Sequence, residues 1–263
     1  MNRSDKLSIL MVDDQEDIPE VCEEVLSDRG HLVECICNPG MALRLVKNRL
    51  YDVVIVDAKM TYKRAQKGGL LLAEELAQIL GTDSLILMSQ YEVRDEVLEL
   101  NPHFTFLPKP KGDQSFSEWI EKKLMAGIQR LLKRQYGFMV MPYGNPELNA
   151  LYAERLSVWM SEAGFQLKRM DEMPGPRAIN TELQEKIRQA HFVLVCASDK
   201  NPNVYFEAGF AAALDKFSII CASDISVLPF DLKSNYVQAL GGPDPDAERA
   251  DLFGLLNRLR GTA

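Results

Sequence analysis

The sequence predicts an α/β protein built as two doubly wound parallel-sheet domains, and three features predict it. Short apolar runs recur at 7–12, 53–56, 85–88 and 104–107, each separated from the next by a helix-length segment. A second series of runs begins after residue 136. The runs are near-continuous in Val, Ile, Leu and Phe rather than alternating, as in parallel strands covered on both faces. With 263 residues, 46% of them hydrophobic, the chain has material for two cores. Its 30 basic and 38 acidic side chains give a net charge of -8, which counts against nucleic acid as the main partner. No apolar run approaches the ~20 residues that cross a bilayer, and Met1-Asn-Arg-Ser lacks a signal-peptide pattern. A soluble, cytoplasmic protein without membrane contact is expected. The five cysteines form no CxxC pair and read as small buried hydrophobes.

Taken in order, LSILMV (7–12) ends in Asp13-Asp14, and an amphipathic segment follows from Ile18 to Leu26. VVIV (53–56) ends at Asp57, LILM (85–88) ends at Ser89, and FTFL (104–107) is followed by Pro108-Lys109. Ligands of open parallel sheets sit beyond the carboxyl ends of the strands, where all five of these polar residues fall. Ser115 to Arg134 carries Trp119, Ile120, Leu124, Ile128, Leu131 and Leu132 on one helix face, and Ser115 with Glu118 has capping-box spacing. This long helix is expected to close the first domain and run on into the second, the alternative being two separate short helices. There, strands are expected at 138–141, 165–170, 192–197 and 217–222. Helices are expected over 148–163, 181–190, 204–214 and 247–260. The domains are then 1–125 and 136–263, with 126–135 as the connecting helix.

Three carboxylates at adjacent strand ends cannot comfortably ionise together without a cation, and an octahedral Mg²⁺ suits them. Asp57 then has the chemistry of a nucleophile for phosphoryl transfer, with Lys109 neutralising phosphate charge and the Ser89 hydroxyl bonding a phosphate oxygen. DD at 13–14, VIVDAKM at 54–60, LMS at 87–89 and FLPKP at 106–110 resemble a bacterial response-regulator receiver domain over residues 1 to about 125. The resemblance implies Mg²⁺ at Asp13, Asp14 and Asp57, and phosphorylation of Asp57 by a sensor histidine kinase or phosphotransfer protein. It also implies phosphate sensing by Ser89 and Lys109, with Phe106 as the switch aromatic. The chain departs from that family at Thr61, where a proline is usual four residues after the acceptor. The loop beyond it is longer than usual and carries Lys63, Arg64 and Lys67, which suit a grip on the kinase or a phosphate-bearing ligand, or plain solvation.

In the second half, Asn201-Pro202-Asn203 is a turn signal with Asn203 as the expected N-cap. Glu207 then falls in or just past the first helical turn, close to the end of the strand at 192–197. Gly209 and Ala211-Ala212-Ala213 are expected to keep that helix thin against the sheet. A carboxylate in such a cleft acts as a nucleophile or stabilises the cationic sugar formed when a glycosidic bond breaks. On an exposed first turn it merely complements the helix dipole.

FMVMPYGN (138–145), RMDEMPGPRAINTELQEKI (169–187), NPNVYFEAGFAAALDK (201–216) and LPFDLK (228–233) resemble TIR-like proteins of the nucleoside 2-deoxyribosyltransferase superfamily. Together the two resemblances imply two flavodoxin-like sheets. The second implies that Glu207 is the catalytic carboxylate for an N-glycosidic bond of NAD or a nucleotide. It also implies a nucleotide cleft lined by Pro142, Tyr143, Gly144, Asp171 and Asn203. Cys196 stands where that superfamily often carries Asp, so nucleotide sensing or protein docking without turnover stands beside catalysis. The expected protein is thus a phosphorylation-controlled effector, in which Ser89 and Phe106 move inward. The helix at 115–134 then alters dimer geometry or access to Glu207. That amphipathic helix suits a homodimer as well as packing within one chain. No helix-turn-helix segment follows the first domain, so direct DNA binding is not expected.

Overall fold

In the computed structural model, residues 6–15, 17–63, 67–111, 115–173, 179–198, 200–233 and 236–261 are described, and their strands form two five-stranded parallel sheets. Arg64, Asp199, the stretch 174–178 and Met1 to Ser4 lie outside the described residues. The first unit runs to Gln135 and takes in Arg260, and the second runs from Tyr136 to Leu259.

The first unit alternates β1 (Ser8–Val12), α1 (Asp17–Ser27), β2 (Leu32–Ile36), α2 (Ala42–Asn48), β3 (Val53–Asp57), α3 (Gly68–Leu80), β4 (Leu85–Ser89), α4 (Arg94–Leu100) and β5 (Thr105–Pro108). The sheet order is β2-β1-β3-β4-β5 with every pair parallel. All positions of β1, β3 and β4 are buried, which is why they read as unbroken apolar runs. The pleat sends Leu10, Val12, Val54, Val56 and Leu87 to one face, against Leu72 and Leu76 of α3 and Val97 of α4. Ile9, Met11, Val53, Ile55 and Met88 pack on the other face with Cys22 and Leu26 of α1.

That second face is also covered by Ile120, Leu124 and Ile128. These belong to the helical stretch α5 (Phe116–Trp119), a π-helical turn at Ile120–Leu124, and α6 (Met125–Leu132). Ser115 Oγ accepts the Glu118 N–H at 3.3 Å, while the Glu118 carboxylate pairs with Lys122. The stretch lies within the first unit and ends three residues before the boundary at Gln135. Gln135 Nε2 donates to the Asp52 and Asp83 carbonyls at 2.7 and 2.8 Å. The fully buried Asp52 carboxylate accepts from the Ser8 N–H at 2.8 Å and from Arg260 at 2.7 Å.

The second unit alternates β6 (Tyr136–Val140), α7 (Pro146–Leu151), α8 (Ser157–Glu162), β7 (Gln166–Arg169), α9 (Ile179–Gln189), β8 (Phe192–Cys196), α10 (Pro202–Ala213), β9 (Ser218–Ala222), α11 (Phe230–Lys233), β10 (Tyr236–Ala239) and α12 (Pro245–Arg260). A π-helical turn at Tyr152–Leu156 joins α7 to α8. The order β10-β9-β8-β6-β7 is the first unit's order, renumbered and read from the other edge. The edge strands β2 and β10 are absent from the sequence expectation. Both mix polar and apolar residues, so neither carries an apolar run.

Helix α10 brings two corrections. Its N-cap is Asn201, whose side chain accepts the Asn203 N–H at 2.9 Å; Asn203 is an exposed first-turn residue instead. Nor does Gly209 thin the helix against the sheet. It is exposed, a Cβ there would meet nothing within 4 Å, and the core contacts come from Ala208 and Ala211. Among the described residues no helix is long and apolar enough to cross a membrane.

Candidate functional site

Each sheet changes direction beside its first strand, between β1 and β3 in one unit and between β6 and β8 in the other. Crevices at such switch points are the usual ligand sites of open α/β sheets.

In the first unit the parallel order carries Asp13, Asp57, Ser89 and Lys109 to one edge. The Lys109 ammonium, almost fully buried, stands 2.6 Å from Asp13 Oδ2 and 2.7 Å from Asp57 Oδ1. Asp14 is exposed, and one oxygen from each of Asp13, Asp14 and Asp57 lies within 4.8 Å of the others. Burial works against the Lys109 charge, but Asp57 and Asp13 outweigh it, so its pKa is raised and it stays an ammonium. Burial likewise lifts the Asp13 carboxyl above its ordinary range, against the pull of Lys109. One cation therefore faces three carboxylates. An all-oxygen donor set with that residual negative charge fits Mg²⁺.

Main-chain donors aim these carboxylates. Asp13 Oδ1 accepts from the Gln15 N–H and Asp57 Oδ2 from the Lys59 N–H, each at 3.0 Å and each two residues on. Asp14 Oδ2 accepts from Thr61, also at 3.0 Å but 47 residues away. Ser89 is buried, and its Oγ accepts the Tyr91 N–H at 3.2 Å. Phe106 is half-buried against the cluster that contains Val93, Val97 and Phe104. The cavity over Asp57 measures about 300 Å³. Four of its lining residues were not singled out from the sequence: Gln15, Gln90, Lys59, whose ammonium sits 4.2 Å over the Tyr91 ring, and Tyr91 itself. In the basic loop, Lys63 pairs with Glu75 at 2.6 Å and Lys67 pairs with Glu96.

Glycine makes this loop possible. A Cβ on Gly69 would fall 1.8 Å from the Asp57 carbonyl oxygen, and one on Gly68 2.1 Å from the Tyr62 nitrogen. The start of α3 thus rests directly on the loop after Asp57.

In the second unit, Glu207 lines a cavity of about 370 Å³ with Pro142, Tyr143, Asn203 and Phe206. Burial alone raises the Glu207 carboxyl to about 7. The rim is aromatic, since Phe206 is 61% exposed and Tyr143 49%. Burial, with the charges of Glu207 and Asp171, pushes the Tyr143 hydroxyl up to about 12. Gly144 belongs to an adjoining cavity with Pro142, Tyr143 and Asn201.

Asp171 is engaged elsewhere: Arg169 Nε holds its Oδ1 at 2.9 Å. Arg169 also bonds Asn149 at 2.7 Å and lies over the Tyr152 and Tyr143 rings at 5.0 and 5.6 Å. It is a part of the cleft's frame that motif reading missed, because its partners come from three separate segments. Cys196 is buried with its thiol 3.6 Å from Ser198 Oγ. Val193, Val195 and Ala197 pack with Val204 and Ala208 of α10, and so the pleat turns Cys196 to the opposite face. The thiol does not line the Glu207 cavity.

No family model and no curated protein matches the chain. Solved structures do. A Thermotoga maritima response regulator, TrrA, in complex with Mg(2+)-BeF is 24% identical, with 50% of this chain and 99% of that one covered at a TM-score of 0.38. A response regulator receiver domain protein from Clostridium thermocellum is 22% identical, covering 49% and 94% at 0.40. The Vibrio cholerae chemotaxis protein CheY4 is 22% identical, covering 48% and 97% at 0.38. By its own strand orders the chain is an α/β protein of two doubly wound, flavodoxin-like sheets, and the solved structures similar to it over about half its length include response regulators.

Proposed function

We propose that the chain is a two-component response regulator in which phosphorylation of Asp57 controls a TIR-like, nucleotide-binding second unit. The observation that carries the reading is the buried Lys109 ammonium within 2.7 Å of both Asp13 and Asp57, with Asp14 alongside. Asp13, Asp14 and Asp57 would hold Mg²⁺, which when bound neutralises charge on the transferring phosphoryl group. A carboxylate oxygen of Asp57 attacks the phosphorus of a phosphohistidine donor. The P–N bond breaks, and the departing imidazole keeps the electron pair and later takes a proton. Lys109 then faces the new acyl phosphate as a fixed counter-charge, and the Ser89 hydroxyl donates to a phosphoryl oxygen.

The sequence resemblance and the aromatic-rimmed Glu207 cavity support a nucleotide ligand in the second unit. An ionised Glu207 stabilises the ribosyl cation as the C1′–N bond of NAD⁺ breaks. The base leaves with the electron pair, and water adds to the sugar with loss of a proton. A second reading, sensing without turnover, is favoured by one observation: no described side chain hydrogen-bonds Glu207 to fix its direction. Two measurements test the proposal. Acetyl phosphate with Mg²⁺ should give a covalent phosphate by intact mass in the wild type and none in Asp57→Asn. Nicotinamide release should occur in the wild type, be lost in Glu207→Gln and respond to the phosphodonor. Phosphate on Asp57→Asn overturns the first half; absent release with retained nucleotide binding selects sensing.

A further inference from the structure

The loop after Asp57 contains a donor that a proline at position 61 could not supply. The Thr61 N–H reaches Asp14 Oδ2 at 3.0 Å, and it is the one hydrogen bond that reaches Asp14 among the described residues. Its two counterparts, from Gln15 to Asp13 and from Lys59 to Asp57, are short-range turns that each aspartate makes with its own loop. The Asp14 bond differs in kind. It ties the loop after β1 to the loop after β3, the two walls of the crevice.

The donor is also held rigidly. Next to it, Tyr62 is 7% exposed and its hydroxyl bonds Glu75 Oε2 at 3.1 Å. The Tyr62 backbone in turn is pressed against Gly68. Asp14, by contrast, is exposed and lacks the Lys109 contact that fixes Asp13 and Asp57. An exposed carboxylate without that bond would sample several rotamers and would have to be ordered whenever a cation arrived.

We infer that the Thr61 main-chain N–H is a positioning group for the divalent-cation site, locking one oxygen of Asp14 so that the other is presented to the ion. The inference rests on the reading of Asp13, Asp14 and Asp57 as Mg²⁺ ligands. Outer-shell donors of this type are commonly worth ~10–100-fold in metal affinity. Because the acting group is the peptide N–H, the threonine side chain itself is dispensable.

The test is Mg²⁺ titration by calorimetry on the full chain, needing no phosphodonor. Thr61→Ala keeps the N–H and should bind as the wild type does, within about twofold. Thr61→Pro removes it and should weaken binding by ~10-fold or more. Since proline also restricts the backbone, a second variant replaces Thr61 by its α-hydroxy acid, exchanging only N–H for an ester oxygen. It should show the same loss. Wild-type affinity in the ester variant overturns the inference while leaving the metal site standing. Equal weakening in Thr61→Ala overturns it too, by assigning the effect to the side chain. A wild-type protein that binds no Mg²⁺ overturns the metal reading and the inference together.

Discussion

The two units have the same strand order and open the same crevice, yet they fill it with opposite electrostatics. At the β1/β3 crevice three carboxylates cluster, two of them on a buried ammonium. At the β6/β8 crevice Glu207 sits among Pro142, Tyr143 and Phe206, and burial alone sets its pKa. Topology therefore chooses where a ligand goes, and the residues at the strand ends choose what it is. On the proposed reading, the first crevice takes a divalent cation and phosphate, whose charges need fixed partners. On the same reading, the second takes a planar ring beside a carboxyl whose pKa is raised to about 7.

The largest test of this contrast is Asp57→Asn, which should abolish covalent phosphoryl uptake and the second unit's response to the phosphodonor while leaving its basal nucleotide binding unchanged. Nearly as large is Lys109→Ala. It strips buried Asp13 and Asp57 of their counter-charge, so urea denaturation should show a loss of about 3–5 kcal/mol, partly restored by Mg²⁺. Smaller, and diagnostic of the second crevice, is its pH dependence. The Glu207 carboxyl is raised from about 4.5 to about 7, so its ionised form grows as pH rises through 7. Nicotinamide release should rise tenfold per pH unit below 7 and level off above it. In stability the sign is opposite. A carboxyl with a raised folded pKa favours the fold below about 4.5, and that contribution is lost as pH rises through 7. Glu207→Gln should therefore flatten the melting temperature of the second unit across that window.

The smallest test compares two glycines. Gly69→Ala should cost about 3 kcal/mol, because its Cβ meets the Asp57 carbonyl. Gly209→Ala, with open space around it, should instead raise stability by roughly 0.5–1 kcal/mol through helix propensity. Thermal unfolding reads both.

What the sequence showed, and what it hid, follows burial. The central strands were legible because both faces are covered, which leaves an unbroken apolar run. The edge strands β2 and β10 were not, since LVECI and YVQA mix polar and apolar residues, whereas the equally half-exposed edge strand β5 was legible because Phe106 and Leu107 keep its run apolar. The meeting of Asp13, Asp57 and Ser89 at one end of the first sheet was legible, as strand ends place them without any knowledge of side-chain angles. Contacts between loops were beyond reach. The Thr61–Asp14 bond, the Lys59–Tyr91 stack and the Arg169 frame each join segments whose meeting depends on the finished fold. The orientation of Cys196 was within reach: alternation from Val195 and Ala197 already assigns it to the far face.

The contact between α3 and the loop after Asp57 also has a genetic side. Every missense change open to a glycine codon adds a Cβ, and at position 69 that atom lands on the Asp57 carbonyl oxygen whatever follows it. A mutational scan should thus find codon 69 intolerant to small and large residues alike, a flat profile with no conservative rank order. Codon 209, with the same starting residue and nothing nearby to strike, should accept nearly all of them.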